Sequence, residues 1–418
     1  MWGSDMHLVL EEEIVILSAA RTPVGHFRGI LSQFDAIALG HAAIEAAVSR
    51  ARLDPGEVDT VNMGLVVSAG LGMAAVKAAA MRAGLPASVH TRAVETACGS
   101  GMDAIVLGVE SLLAGSAKVM VAGGMESRTN APYLVGPRFR RSTEHYRRGE
   151  RLKVKRAGAY RWQLGENVEE QVGATGLVDA TTYDGLFWPA EQKFMRQYAL
   201  EFAARQGYTV EQVNHHAAES HRKAKRAKDE GLFREELASA GSVGDDELIS
   251  EERQQRALEE SPEDMASAYN SSTPADAAAA LVLTTEAQAK ELGMEPLARV
   301  LGYARVDGPA AEYLSAPARA GQELMSALKS AGSTADFGII EANEAFAIQL
   351  PLFEEAFAGM AINVHGGAVA LGHPLGAAGA RILTTLLYAT RRCGHRRGLA
   401  AICYGGGGGY AIAVEQCG

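Results

Sequence analysis

Cysteine is scarce in this chain. Its 418 residues contain four, at Cys98, Cys393, Cys403 and Cys417. So few cysteines in so long a chain exclude a disulfide-stapled scaffold and favour reduced thiols in a cytoplasmic protein. Together with His395 they follow no regular zinc-ligand spacing, so we predict no metal site. The first thirteen residues lack the basic-then-apolar pattern of a secretion signal, which agrees with a cytoplasmic location.

Long apolar runs and an excess of positive charge are also missing. No run reaches the roughly 18 apolar residues that a membrane span requires. Forty Lys and Arg residues against 50 Asp and Glu residues give a net charge of −10. Because an acidic protein repels phosphate groups, we predict neither a nucleic-acid partner nor a membrane partner. The 47% apolar and 22% charged content is that of an ordinary globular chain, with enough residues for two or three domains.

Short apolar segments alternate with helical segments in the first and last thirds of the chain. Residues 14–19 are typical of a buried strand, and residues 36–51 have helical periodicity. Near the other end, a strand at 339–341 is followed by a segment that predicts a helix over 343–357. This alternation predicts an α/β fold with mostly parallel sheets that are covered on both faces.

The same succession of turn, helix and strand occurs twice in the chain. From Cys98 a Gly/Ser turn leads into a helix and a strand that reaches Gly123, and from Gly376 a Gly/Ala turn leads through a helix and strand to Gly405. The repetition predicts two related halves whose helix N-termini meet near a pseudo-axis. The middle of the chain breaks this rhythm, and its segment 138–156 carries seven Arg and two Lys against two Glu. That segment is either a solvated insertion or a local anion site.

Four segments carry residues suited to chemistry. Cys98 lies at a predicted strand-to-helix turn, where the helix N-terminus favours a thiolate. Asn343 opens Asn-Glu-Ala-Phe and is explained equally well as a helix N-cap. His373 lies in a glycine-rich Gly-His-Pro loop that packing alone does not explain, and Cys403 ends a strand just before a glycine run. The residues after Cys98 also fit a loose dinucleotide-binding pattern.

Together these segments resemble the thiolase family. Cys-Gly-Ser at 98, Asn-Glu-Ala-Phe at 343, Gly-His-Pro at 372 and Cys-x-Gly at 403 stand in the family's order and at similar spacing. The resemblance implies a five-layered, thiolase-like α/β fold of two pseudo-symmetric βαβαβαββ halves with an inserted loop domain. It places the first part of the N-terminal half at 1–127, the loop domain at 128–267, the end of the N-terminal half at 268–285, and the C-terminal half at 286–418.

The resemblance also implies an acyltransferase that makes or cleaves a 3-ketoacyl thioester by non-decarboxylative Claisen chemistry. Cys98 would be the nucleophile that takes the acyl group, and His373 would accept its proton and hold a thiolate–imidazolium pair. Cys403 would be the acid/base, and Asn343 would hold a water that stabilises the enolate. The backbone N–H groups of Cys98 and Gly405 would form an oxyanion hole.

Substrate contacts and partners follow from the same resemblance. Ser272, Phe346 and Tyr313 are predicted to contact the substrate, with Ser272 near pantetheine and Tyr313 as a pocket wall. Coenzyme A is expected as substrate and product with no further cofactor, and the family implies a homodimer or homotetramer. The segment 138–156 is predicted to bind the CoA phosphates or an acyl-carrier protein.

Three alternatives stay open. A thiolase-like condensing enzyme of a biosynthetic pathway would use an acyl-carrier-protein thioester. A NAD-dependent oxidoreductase would use the loop at Gly99. A non-catalytic scaffold would form no acyl-enzyme. Neither of the last two needs both cysteines together with His373.

Overall fold

The computed structural model describes residues 6–135, 177–259, 264–333 and 336–417, so the basic segment 138–156 lies outside the described residues. The strands are β1 (Met6–Arg21), β2 (Gly25–His26), β3 (Thr60–Gly64), β4 (His90–Val94), β5 (Val119–Ser127), β6 (Tyr133–Val135), β7 (Leu177–Asp179), β8 (Phe187–Trp188), β9 (Lys193–Phe194), β10 (Ala275–Thr285), β11 (Ala298–Val306), β12 (Ile339–Ala342), β13 (Ala361–Ile362), β14 (Arg397–Tyr404) and β15 (Gly408–Gln416).

The α-helices of the described residues are α1 (Ala36–Arg50), α2 (Ala75–Arg82), α3 (Ser100–Leu113), α4 (Ala180–Leu186), α5 (Met195–Gln206), α6 (Val210–Asp229), α7 (Glu251–Glu259), α8 (Glu286–Glu291), α9 (Ala316–Ser330), α10 (Leu350–Ala356), α11 (Ala368–Leu371) and α12 (Ala378–Arg392). Short 3-10 helices cover Pro55–Glu57, Ala310–Glu312, Ala347–Gln349 and Leu375–Ala377. None of the helices in these ranges is long and apolar enough to cross a membrane.

A sheet of eleven strands runs through the molecule in the order β13-β12-β14-β15-β11-β1-β10-β5-β3-β4, with β2 beside β10. The strands at each end of the sheet pair in parallel. At one end β12 is parallel to β13 and β14, and at the other end β3 is parallel to β4 and β5. All pairs between β14 and β5 are antiparallel. The prediction of mostly parallel sheets is therefore wrong for the centre. There, β14 and β15 form a hairpin across the short turn 405–407, and antiparallel strands need no helical crossover.

The sheet repeats one pattern twice. The order β4-β3-β5-β10-β1 corresponds strand by strand to β13-β12-β14-β15-β11, with the same parallel and antiparallel pairings. The two units join where β1 and β11 pair antiparallel, with Ile14 opposite Val300 and Ile16 opposite Ala298. The prediction of two related halves is confirmed.

Helices α3 and α12 lie in the middle of the layered structure. Every residue of α12 from Ala378 to Thr390 is buried, as expected for a helix with protein on all sides. By contrast, α1 buries one face and leaves residues such as Glu45 exposed. By this difference in burial, α12 belongs to an inner helical layer and α1 to an outer one, as expected for a thiolase-like fold.

Close backbone contacts bring the two repeated turns together. A Cβ added to Gly124 would lie 2.0 Å from the carbonyl oxygen of Gly376, and one added to Gly64 would lie 2.4 Å from it. A Cβ on Gly379 would lie 2.4 Å from the backbone nitrogen of Met102. Since only glycine permits these approaches, the N-terminal ends of α3 and α12 meet as the internal repetition predicted.

The helix predicted over 343–357 is wrong in its first half. Phe346 is extended, with φ −143° and ψ 145°, and bridges to Ser271, while α10 begins only at Leu350. The backbone N–H of Asn343 donates instead to the Ala401 carbonyl at 2.8 Å, which continues the pairing with β14. Pro351 lies in the first turn of α10, where proline is favoured, and is the sequence signal for the later start.

Candidate active site

Cys98 lies in a tight turn that precedes α3. Ala97 has φ +47°, a left-handed conformation that is uncommon for a residue with a side chain. Ser100 holds this turn: its hydroxyl donates to the Ala97 carbonyl at 2.6 Å and accepts from the Thr96 N–H at 2.9 Å. The thiol, 8% exposed, is thereby fixed beside the N-terminus of the helix. Local strain of this kind is common where a reactive group must be presented in one orientation.

Burial dominates the ionisation of the Cys98 thiol. It raises the pKa of Cys98 to about 12, and the positive charge of Arg128 and the backbone N–H groups of Cys98 and Gly405 oppose that rise. The two N–H groups predicted to form an oxyanion hole therefore both act on the Cys98 sulfur. A Cβ added to Gly405 would lie 3.1 Å from the sulfur of Met195 and 3.8 Å from the Ala97 Cβ, so glycine keeps this space open.

His373 is held by its backbone and leaves its ring free. Its N–H donates to the Thr273 carbonyl at 2.9 Å, whereas Nδ1 and Nε2 are buried without a hydrogen-bond partner. Burial, followed by the charges of Arg128 and Arg381, lowers the pKa of His373 to about 3. The ring is therefore neutral near pH 7, and a neutral imidazole can accept a proton.

Cys403 lies near the end of β14 and is fully buried. Burial raises the pKa of its thiol, a negative charge on Cys98 raises it further, and a hydrogen bond from the Gln349 side chain opposes both. Tyr313 is acted on by both thiols, and its hydroxyl donates to the Met195 carbonyl at 3.0 Å. These influences indicate that Cys98, Cys403 and Tyr313 lie close together, and the role of Tyr313 as a pocket wall stays a prediction.

Asn343 is fully buried, and both polar atoms of its side chain lack a partner. Asn363 holds the residues on either side of Asn343 in place. Its Oδ1 accepts from the Ala342 N–H at 2.7 Å, and its Nδ2 donates to the Ala342 carbonyl at 2.9 Å and to Glu344 Oε1 at 2.7 Å. Glu344 also accepts from the Ser220 hydroxyl at 2.7 Å. Buried polar atoms are rarely left unpaired, so the free amide of Asn343 is suited to holding a water or a ligand atom.

The other predicted substrate contacts lie beside the Asn343 motif. The Ser272 hydroxyl donates to the Ala345 carbonyl at 2.9 Å, and its backbone N–H donates to the same oxygen at 3.1 Å. Phe346 is half-buried and packs against the apolar cluster that contains Cys403. The structure therefore places Ser272 and Phe346 near the site, and their contact with substrate stays a prediction.

Glu126 supports the site, although no role is predicted for it from the sequence. Its carboxylate is fully buried and accepts backbone N–H groups from Val66 at 3.1 Å, Val67 at 3.2 Å and Gly376 at 2.9 Å. Burial raises its pKa, and these three hydrogen bonds oppose the shift. Glu126 thus ties the loop after β3 to the loop that carries His373.

Gln349 is a second residue that sequence reasoning missed. Its Oε1 accepts from the Ala345 N–H at 3.0 Å, and its Nε2 donates to the Leu314 carbonyl at 3.2 Å. Because these partners fix which side of the amide carries the NH₂ group, the side chain can also offer an N–H to Cys403. A hydrogen bond from this side chain opposes the rise in the pKa of the Cys403 thiol that burial causes.

The described residues offer no cluster of three His, Cys, Asp or Glu side chains that could hold a metal ion. What they do present is a buried imidazole and two thiols, with backbone N–H donors beside the first thiol. Such a set is suited to covalent acyl transfer, because a thiol nucleophile needs a nearby base and a site for the oxyanion.

Comparisons with known proteins agree with this chemistry. Residues 14–287 match the thiolase N-terminal domain, and residues 294–416 match the thiolase C-terminal domain. The chain belongs to the thiolase family. The finer boundaries predicted at 127/128, 267/268 and 285/286 stay a prediction.

Relatives of known name cover almost the whole thiolase chain. Acetyl-CoA acetyltransferase of Escherichia coli is 36% identical over 418 residues, which span 96% of this chain and 98% of the relative. Acetyl-CoA acetyltransferase IA of Candida tropicalis is 34% identical over 429 residues, with 96% and 97% covered. The Acat5 thiolase of Ascaris suum in complex with coenzyme A has a TM-score of 0.82 and 32% identity, with 97% and 100% covered.

These matches confirm the predicted thiolase-like fold and a thiolase-type acyltransferase. None of them favours the alternatives of a carrier-protein-dependent condensing enzyme, a NAD-dependent oxidoreductase or a scaffold. The role predicted for segment 138–156 lies outside the described residues and stays a prediction.

Proposed function

We propose that this thiolase exchanges an acyl group between coenzyme A and Cys98, and joins that group to acetyl-CoA in a reversible Claisen reaction. The products in the forward direction are a 3-ketoacyl-CoA and free CoA. The observation that carries the proposal is the convergence of two buried thiols, Cys98 and Cys403, with Gly405 N–H donating to the first and Gln349 to the second. The names of the relatives and the CoA-bound structural neighbour support acetyl-CoA as one substrate.

In the first half-reaction, His373 takes the proton of Cys98 and the sulfur attacks the thioester carbonyl. The N–H groups of Cys98 and Gly405 stabilise the negative charge that forms on the carbonyl oxygen. The bond between the carbonyl carbon and the CoA sulfur then breaks, and the CoA thiolate takes the proton from His373. The acyl group stays on Cys98 as a thioester.

In the second half-reaction, Cys403 in its thiolate form, which has lost its proton to solvent, removes a proton from the methyl group of acetyl-CoA. The enolate oxygen is stabilised by His373 and by a water held by Asn343. The enolate carbon attacks the acyl carbon, and the bond to Cys98 breaks. Cys403 returns its proton to the Cys98 sulfur, so the cycle closes with no proton gained or lost.

Intact-mass measurement tests the proposal. We expect acetyl-CoA to add one acetyl group to the protein with release of one CoA, and peptide mapping to place that group on Cys98. Adding free CoA should remove the group again, because thioester exchange is reversible. Absence of a covalent adduct with acetyl-CoA and with longer acyl-CoAs would contradict the proposal.

Replacing Gln349 should slow the second half-reaction and spare the first. Gln349→Leu removes the N–H donor to Cys403, so the pKa of that thiol should rise further. We expect condensation and thiolysis to fall roughly tenfold, the typical effect of one hydrogen bond to a charged group. The pH at which condensation is half-maximal should shift upward. Single-turnover rates of both half-reactions across pH measure these effects.

The control for this change is Gln322→Leu, an exposed glutamine on α9. It should leave both half-reactions unchanged. If Gln349→Leu instead slowed the acylation of Cys98 as much as the condensation, Gln349 would act on the whole site rather than on Cys403.

A further inference from the structure

Arg128 is a buried cation next to the proposed acyl site. It follows β5 and is 2% exposed. Its Nη2 donates to the Thr181 carbonyl at 2.9 Å, while its Nε is buried without any hydrogen-bond partner. Burial of a guanidinium that lacks a contacting anion is costly, so a ligand that supplies the anion would be favoured.

The carboxylates around Arg128 are already occupied by other donors. Three of them act on its charge, namely Glu126, Asp179 and Asp276. Glu126 accepts three backbone N–H groups, and Asp179 accepts the Thr181 N–H at 2.9 Å. Asp276 accepts both the N–H and the hydroxyl of Thr129. Within the described ranges none of them forms an ion pair with Arg128 at 4.0 Å or less, so the Nε donor has no acceptor of its own.

The guanidinium lies close enough to Cys98 for its charge to act on that thiol. A Cβ added to Gly185 would lie 3.7 Å from Arg128 Nη2 and 2.7 Å from the side chain of Leu375. Leu375 belongs to the same apolar cluster as Cys98. Among charged groups, Arg128 has the largest effect on both Cys98 and His373. A negative charge on a group bound to Cys98 would therefore meet Arg128 before any other cation.

We infer that Arg128 is a specificity-determining residue that selects acyl groups bearing a free carboxylate, as in the monothioester of a dicarboxylic acid with CoA. The planar guanidinium can offer two N–H groups to a carboxylate, and charge-assisted pairs of this kind are strong. This inference rests on the proposed function. The step is the one described above: Cys98 forms the new thioester, CoA leaves with the proton, and the free carboxylate takes no part in bond making.

Matched thioesters test this inference in the unaltered protein. Succinyl-CoA is compared with butyryl-CoA, and glutaryl-CoA with valeryl-CoA, so that chain length is held constant while charge changes. The rate of acylation of Cys98 is followed by intact mass, with acetyl-CoA as the reference. We expect at least one acidic thioester to react roughly 10- to 100-fold faster than its neutral partner, the range for hydrogen bonds to charged groups.

Arg128→Met should remove that preference. Acetyl-CoA should still acylate Cys98, though more slowly because a charge that opposes the rise in the Cys98 pKa is lost, and this adduct shows that the variant is folded. Arg128→Lys should keep part of the preference, because the positive charge remains but the planar group that offers two N–H donors to a carboxylate is lost. Arg82→Met, which removes an exposed arginine at the end of α2, should change nothing.

Three results would overturn the inference. The first is equal or slower acylation by both acidic thioesters in the unaltered protein. The second is an equal loss of rate with every thioester in Arg128→Met, which would show that Arg128 acts on the Cys98 thiol itself. The third is absence of any adduct with acetyl-CoA, which would remove the proposed function along with the inference.

Discussion

Replacing Cys98 by alanine should abolish both the covalent adduct and all acyl transfer. The thiol is the atom that carries the acyl group in the proposed reaction, and the other members of the site have no covalent route without it. Loss of a nucleophile that acts with a positioned base lowers kcat by roughly 10⁴-fold or more. Intact mass after incubation with acetyl-CoA, together with the rate of CoA release, measures the effect.

The matched control is Cys393→Ala, because Cys393 is an exposed cysteine that directly follows the C-terminal end of α12. It should form the adduct at the rate of the unaltered protein. An adduct that persisted in Cys98→Ala and mapped to Cys403 would reverse the assignment of the two thiols. Persistence on Cys393 or Cys417 would show surface acylation rather than catalysis.

The pH dependence of acylation follows from two pKa shifts. Burial raises the pKa of Cys98 to about 12 and lowers that of His373 to about 3, so both groups are neutral near pH 7. Because the proton passes from Cys98 to His373 within the site, and neither pKa lies between about pH 6 and 9, the rate of acylation should stay constant across that range. A rate that grew about tenfold per pH unit would show that only thiolate formed by loss of the proton to solvent reacts, and would contradict His373 as the base.

The main site residues could be predicted because each stands in its own short motif. Cys98, His373 and Cys403 each have a glycine within two positions, which keeps backbone and space available around a reactive side chain. Their order along the chain carried the resemblance to the family. The meeting of the two repeated turns was also predictable, since the same succession of turn, helix and strand occurs after Cys98 and after Gly376.

The supporting residues could not be predicted, because their roles depend on partners far away in the sequence. Glu126 accepts the Gly376 N–H across 250 positions, and Gln349 lies in an apolar stretch that helical periodicity assigned to a helix from 343 onward. The antiparallel centre of the sheet is equally non-local, since Ile14 pairs with Thr285. Local patterns identify elements, whereas register between distant strands is set by tertiary packing.

Cys403 should be needed for one half-reaction only. In Cys403→Ala, no group remains to remove the proton of acetyl-CoA or to return it to Cys98, so condensation and thiolysis should fall by roughly 10²- to 10⁴-fold, the usual contribution of general acid–base catalysis. Acylation of Cys98 should stay within about threefold, because Gly405 N–H and His373 are untouched and only proton transfer by Cys403 is lost. The variant should therefore accumulate as the acyl-enzyme, which intact mass detects directly.

Cys403→Ser is the matched variant, since it keeps the size of the side chain and raises the pKa of the acid/base. As in Cys403→Ala, condensation and thiolysis should slow while acylation of Cys98 stays nearly unchanged. The decrease in rate should be smaller, because the hydroxyl can still return a proton. Equal slowing of both half-reactions in both variants would mean that Cys403 shapes the cavity and does not transfer protons. The burial of Cys403 makes this comparison necessary, because a fully buried thiol can serve packing or proton transfer. The Gln349 side chain opposes the rise in the pKa of this thiol, and that favours the catalytic outcome.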